Sequence, residues 1–94
     1  MNTEFPKVIT HKGMTVKLYD WMEYPEGESA RNVVAYDEKG REIWTIEPLG
    51  GEPGLDYYTY IESRKGTLHA YNFQCYACVI DDKNGKVVKS AFTK

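Results

Sequence analysis

The chain has no uninterrupted apolar run of about 18 residues, the length that a membrane-spanning helix needs. Its first residues, Met1–Pro6, contain neither the basic segment nor the apolar segment of a secretory leader. The sequence therefore favours a cytoplasmic protein. A chain of 94 residues is expected to form one domain, residues 1–94, around a single modest core.

The sequence also lacks any segment with a convincing helical period over two turns. Its ordered stretches are rich in Tyr, Thr, Val and Ile, which favour the pleated surface of a strand. Short turns rich in Gly, Pro or Asp separate these stretches. We predict an all-β fold in one small domain, an antiparallel meander of about 7–8 short strands that forms a small barrel or a sandwich.

The clearest local signal is a strand–turn–strand unit that occurs twice, at residues 33–46 and 78–88. Each unit joins two β-branched or aromatic runs through an acid-rich turn that ends in glycine, Gly40 in the first and Gly85 in the second. This pattern predicts two β-hairpins. The residues that we predict to lie mainly in buried strands are Val34, Tyr36, Ile43, Val79, Ile80 and Val88.

The first unit resembles a blade repeat of quinoprotein-type β-propellers. The residues that carry the resemblance are Ala35, Tyr36, Asp37, Gly40, Ile43 and Trp44. The second unit has Lys89 where that repeat has tryptophan. A propeller needs at least about four blades, and this chain has room for two, so the resemblance implies shared hairpin chemistry and no function.

Basic residues are scarce in the middle of the chain. The segment from Asp20 to Asp56 contains ten acids and three bases, so its formal charge is −7. The formal charge of the whole chain is only −2. An acidic segment disfavours a phosphate-binding surface and permits a basic partner. The alternative is that these charges only cover solvent-facing strand positions and loops, because charge along a chain need not form a patch in space.

Residues for catalysis are few. The two histidines are His11 and His69, and none of Ser29, Ser63 and Ser90 lies in a nucleophile-elbow context. A histidine-dependent mechanism would need one histidine to be oriented by a carboxylate, and nothing in the spacing suggests this. We therefore expect a protein that is not an enzyme, with no catalytic residues and no cofactor.

The two cysteines, Cys75 and Cys78, have C-x-x-C spacing. On a strand, residues three apart point to opposite faces, so the two sulfurs would diverge. We expect no metal site and no disulfide between them, and one thiol in the core as a small apolar group.

Tyrosine is unusually abundant, with eight residues in 94. Tyrosine is common at protein interfaces, and it is also an ordinary aromatic of β-sheets, so both readings stay open. Residues 20–28 mix Trp, Met and Tyr with four acids, and residues 48–56 form a Gly- and Pro-rich loop. The predicted binding face consists of Trp21, Glu23, Tyr24, Glu26, Tyr57, Tyr58 and Tyr60.

These features predict a non-enzymatic binding protein. The first hypothesis is a small acidic inhibitor or immunity-type protein, of phage or bacterial kind, that blocks a protein partner with a basic surface. We expect no nucleic-acid partner and no membrane partner, and a homo-oligomer stays open. The alternative hypothesis is a β-barrel that binds a small ligand, such as a nucleotide, between tyrosines.

Overall fold

The computed structural model describes residues 5–93, which form two four-stranded antiparallel sheets. Residues 1–4, part of the segment in which the sequence shows no secretory leader, lie outside the described residues, as does Lys94. The strands of the first sheet are β1 (Lys7–His11), β2 (Met14–Leu18), β3 (Val33–Tyr36) and β4 (Glu42–Thr45). Those of the second sheet are β5 (Tyr58–Arg64), β6 (Thr67–Asn72), β7 (Tyr76–Ile80) and β8 (Val87–Phe92).

In each sheet the strands lie side by side in chain order, so the structure confirms the predicted all-β antiparallel meander. Within residues 5–93 the two sheets do not close into a barrel, and their arrangement fits a sandwich. Two 3₁₀ turns, Trp21–Glu23 and Pro53–Leu55, lie in the long loops. A parallel bridge between Ala30 and Tyr57 joins those two loops.

One core lies between the inner faces of the two sheets. On the first sheet Val16 lies opposite Ala35, and Leu18 lies opposite Val33. The second sheet contributes residues from β5, β6 and β7. The buried members of the core cluster are Val16, Leu18, Val33, Ala35, Trp44, Ile46, Tyr58, Ile61, Leu68, Ala70, Cys78 and Ile80. Strand alternation explains this arrangement, since every second side chain of a strand points to the same face.

Both predicted hairpins are present, as β3–β4 and β7–β8. Each turn begins at an aspartate whose side chain accepts a hydrogen bond from the backbone two residues later: Asp37 from Lys39 N at 2.9 Å and Asp81 from Lys83 N at 2.9 Å. This local bond is the reason that aspartate favours such turns. The two hairpins are therefore alike in turn chemistry as well as in sequence.

The structure corrects part of the predicted core, and bulges in the sheets explain the differences. Val34 and Ile80 are buried as predicted, whereas Tyr36 and Val79 are only half-buried. Ile43 is 41% exposed and Val88 is 64% exposed, so these two predictions are wrong. The reason lies in the strand pairing. In the first hairpin Ala35 pairs with Trp44 and Tyr36 with Glu42, which skips Ile43. In the second, Val79 pairs with Lys89 and Ile80 with Val87, which skips Val88. Ile43 and Val88 are thus the extra residues of two bulges, where the inside–outside alternation fails.

Candidate functional site

The two loops of the predicted binding face meet in the structure. Residues 19–32 connect β2 to β3, and residues 46–57 connect β4 to β5. Ala30 N donates to Asp56 O at 2.9 Å, next to the bridge between Ala30 and Tyr57. Ser29 Oγ donates to Asp56 Oδ2 at 2.8 Å. Backbone and side-chain bonds therefore hold the two loops against each other.

Asp56 is the centre of this junction and is only 1% exposed. Besides Ser29, its carboxylate accepts hydrogen bonds from Asn72 Nδ2 at 2.8 Å, Gly50 N at 2.9 Å and Leu49 N at 3.3 Å. A buried carboxylate is tolerated when several donors replace its water. From sequence, Asp56 is one of the ten acids of the negatively charged segment, and the structure places its carboxylate inside the protein.

Four aromatic rings contact one another in a row beside these loops, three of them stacked face to face. Trp21 and Tyr57 are parallel, with centroids 4.7 Å apart and planes at 13°, and Tyr57 and Phe73 stack at 4.7 Å and 20°. Phe5 meets Trp21 edge to face at 5.7 Å. We call Phe5, Trp21, Tyr57 and Phe73 the aromatic stack. Phe73 ends the stack and is 48% exposed, so an aromatic surface remains open to solvent.

Local bonds hold the members of the aromatic stack. Asp20 caps the 3₁₀ turn that carries Trp21, because its Oδ1 accepts from Met22 N at 3.0 Å. Phe73 N donates to Tyr57 O at 2.8 Å, which attaches the β6–β7 turn to the start of β5. The rings are therefore held by backbone that is itself bonded, which limits the entropy they lose on binding.

Beside the aromatic stack lies a cleft of about 220 Å³. Trp21, Tyr24 and Tyr57 contribute aromatic walls, and Glu26 and Glu28 contribute carboxylates. We call this the acidic cleft. Because Trp21 and Tyr57 stack on each other at 4.7 Å, the two ring faces that meet are not open to it. Attraction for a cation therefore comes mainly from the two glutamates.

The acidic cleft contains four of the seven residues predicted for the binding face, namely Trp21, Tyr24, Glu26 and Tyr57. Glu23 is exposed on the 3₁₀ turn next to Tyr24. Burial raises the pKa of the Tyr24 phenol, and Tyr36 and Glu23 add to this effect. The phenol therefore stays neutral and can donate a hydrogen bond over the whole physiological pH range.

Two predicted binding residues lie elsewhere. Tyr58 is 0% exposed and its hydroxyl donates to Glu47 O at 2.8 Å, so its placement on a binding surface is wrong. Tyr60 is 41% exposed, but its ring lies against Tyr71 at 5.7 Å and under Lys7 Nζ at 4.1 Å. The sequence pattern predicts Tyr58 and Tyr60 on one face, but a bulge between them reverses the alternation.

Sequence reasoning missed both ends of the aromatic stack, Phe5 and Phe73. Phe73 lies in the tight β6–β7 turn, and a large apolar side chain in a turn indicates an exposed contact. Phe5 lies before the first strand and carries no such signal. Only the folded chain brings it to Trp21.

The structure separates the two cysteines. Cys78 is fully buried in the core, as expected for one thiol of the pair, and Cys75 is half-buried in the β6–β7 turn. Burial, with a smaller effect of Asp56, raises the pKa of the Cys78 thiol to about 11. In the part of the chain that the structure describes, no group of three or more His, Cys, Asp or Glu side chains is arranged to hold a metal ion.

The chain matches one protein family over residues 1–92, described as "Domain of unknown function (DUF7957)". It belongs to this family. No curated protein and no solved structure matches the chain. No helix among residues 5–93 has both the length and the apolar character to cross a bilayer.

Proposed function

We propose that this member of the family is a non-enzymatic binding protein that uses the aromatic stack and the acidic cleft to hold, and thereby block, a protein partner. The observation that carries the proposal is that an open aromatic stack lies directly beside a cleft with two carboxylates. Aromatic residues dominate the binding energy of many interfaces, and charges around them determine orientation and association rate.

The exposed apolar groups around the cleft support this role. Met22, which lines the cleft, is 75% exposed, and Phe73, at the end of the aromatic stack, is 48% exposed. A flexible thioether next to rigid rings suits an irregular partner surface. Because Asp56 and the stacked rings already hold the two loops, little ordering is needed on binding.

The charge around the cleft supports a basic partner. Residues 20–28 contain four acids and no base. Arg31 follows in the chain, but its guanidinium donates to Ile46 O at 2.8 Å and to Thr45 O at 3.1 Å and so is directed at the backbone near the end of β4. The cleft therefore keeps its negative charge, which opposes nucleic acid and attracts lysine or arginine side chains.

The finer features of the proposal rest on small size and acidity. They are an inhibitor or immunity-type role, a phage or bacterial setting and a cytoplasmic location. A homo-oligomer remains compatible with it, and a membrane partner is not part of it. The alternative proposal is binding of a small ligand, such as a nucleotide, between tyrosines. Because the described sheets do not close into a barrel, such a ligand would bind at a surface cleft.

The test is affinity capture with matched variants. Immobilised wild-type protein is expected to retain one stoichiometric partner at low salt and to release it at high salt. Trp21→Ala should weaken binding by about 2 kcal/mol or more while the domain stays folded. Glu23→Lys should act mainly by slowing association.

The control is Glu38→Lys, which reverses an exposed acid in the β3–β4 turn, outside the acidic cleft. It should bind as the wild type does. Equal binding by all variants, or unfolding of Trp21→Ala in a thermal melt, would contradict the proposed face.

A further inference from the structure

A second cluster of polar side chains connects the two sheets away from the acidic cleft. His11, at the end of β1, is 1% exposed. Its Nδ1 lies 2.6 Å from Ser63 Oγ on β5, and its Nε2 lies 2.8 Å from Asp82 Oδ2 in the β7–β8 turn. Two short hydrogen bonds thus link a serine, a histidine and an aspartate in a row, with the histidine in the middle.

The surroundings of Asp82 determine which ring nitrogen carries the proton. Lys12 Nζ lies 3.2 Å from Asp82 Oδ2. The hydrogen bond from His11 and the nearby Lys12 lower the pKa of the Asp82 carboxyl. Ionised Asp82 can only accept hydrogen bonds, so in neutral His11 the proton sits on Nε2. The free lone pair of Nδ1 then faces Ser63, whose hydroxyl donates to it.

This is the arrangement of an activated nucleophile, in which a base accepts from the hydroxyl and a third group orients the base. Sequence spacing shows no carboxylate that orients a histidine, yet folding places Asp82 on His11. Ser63 is an exposed residue, whereas the ring of His11 is buried. Ser63 therefore lies on a part of the surface that a reagent can approach from solvent, while the ring of the base is shielded.

We propose that Ser63 is a nucleophile, with His11 as its general base and Asp82 as the positioning residue, and that it accepts acyl groups from activated esters. Ser63 Oγ bonds to the ester carbonyl carbon as its proton passes to His11 Nδ1. The bond from that carbon to the leaving oxygen then breaks, and the leaving oxygen takes the proton from Nδ1. The product is an ester of Ser63. This reaction modifies Ser63 once, without turnover, and is independent of the non-enzymatic binding function proposed above.

The test uses two defined reagents on the intact protein, p-nitrophenyl acetate and an alkyl fluorophosphonate. With the latter an Oγ–P bond forms, the P–F bond breaks, fluoride leaves, and the proton passes to His11. Peptide mass spectrometry should find the label on Ser63. General-base assistance is expected to make labelling at least ~100-fold faster than at Ser90, an exposed serine on β8.

Ser63→Ala should remove the label. Asp82→Asn should slow labelling, because the amide no longer holds the proton on Nε2. Thermal melts show whether each variant is folded. Since the wild-type protein supplies the deciding result, an unfolded variant does not prevent a decision. No label on Ser63, or equal rates at Ser63 and Ser90, would overturn the proposal and leave the cluster as a structural link between the sheets.

Discussion

Asn32 and Tyr58 exchange a pair of hydrogen bonds in the interior between the two loops. Asn32 Oδ1 accepts from Tyr58 N at 2.9 Å, and Asn32 Nδ2 donates to Tyr58 O at 2.8 Å. The second proton of Nδ2 goes to Tyr19 O at 2.9 Å. Asn32 is 0% exposed. Its side-chain amide makes the hydrogen bonds to Tyr58 that the backbone of a neighbouring strand would otherwise make at the beginning of β5.

Asn32→Ala is expected to lower the free energy of unfolding by about 3 kcal/mol, because it leaves backbone groups of Tyr58 buried without partners. The measurement is urea denaturation followed by circular dichroism. Asn84→Ala is the control, since Asn84 is exposed in the β7–β8 turn and should cost less than about 1 kcal/mol. Equal losses in the two variants would show that the Asn32 bonds contribute little.

Gly85 and Gly40 occupy equivalent hairpin turns with φ of 78° and 82°. A Cβ at Gly85 would lie 2.6 Å from Trp44 Cε3, whereas nothing lies within 4 Å of one at Gly40. Gly40→Ala should therefore lower the free energy of unfolding by only about 1–2 kcal/mol, the strain of an alanine in the left-handed backbone region. Gly85→Ala should cost more, about 3–4 kcal/mol in all, because it also overpacks the core. Similar melting temperatures for the two variants would contradict this.

The two thiols are expected to react at different rates. Cys78 is buried and its raised pKa leaves little thiolate, whereas Cys75 is half-buried in a turn. A disulfide reagent at pH 8 should modify one thiol in the folded protein and the second only on unfolding. Cys75→Ser should remove the fast phase and Cys78→Ser should keep it. A fast phase that survives in Cys75→Ser would refute the assignment.

The absence of zinc and of a bond between Cys75 and Cys78 stays a prediction. Metal analysis of protein purified without chelator should find well under one zinc per chain. A stoichiometric zinc signal that disappears in Cys78→Ser would overturn it.

The ion pair at Asp82 makes an acid-dependent contribution to stability. Since the pKa of Asp82 is lower in the folded chain than in the unfolded chain, the unfolded chain binds the proton first as the pH falls. The contribution is complete at neutral pH and is lost as the pH falls below the ordinary carboxyl value of about 4.

Asp82→Asn should therefore destabilise the protein at pH 7 by more than it does at about pH 2.5, where much of the wild-type contribution is already lost. Denaturant titrations at the two pH values measure this difference. Glu38→Gln, which neutralises an exposed acid in the other hairpin turn, controls for the loss of one charge. A pH-independent difference between Asp82→Asn and wild type would contradict the prediction.

Local patterns were sufficient for the strands and hairpins. Residue alternation and the turns at Asp37–Gly40 and Asp81–Gly85 depend on neighbours within a few residues, so a single sequence shows them. Three residues that local patterns assign wrongly, Ile43, Val88 and Tyr58, lie at or beside bulges. A bulge adds one residue to one strand, and that shift depends on pairing with a distant strand.

The binding face could be predicted in part. Trp21, Tyr24 and Glu26 are close in the chain, and the composition of their loop is enough to single them out. The role of Asp56 could not be predicted, because its four donors come from three separate places in the sequence. A carboxylate in a polar loop has the same sequence signature whether it is buried or exposed.

By itself, the amino-acid sequence determined the all-β class, the hairpins and the two long loops, since strand propensity, alternation and turn chemistry act over a few residues. Only the tertiary structure decided that Phe73 completes the stack and that His11 meets Ser63 and Asp82. His11 is 52 residues from Ser63 and 71 residues from Asp82. Such contacts exist only when two sheets pack face to face, because packing brings together side chains that no local rule relates.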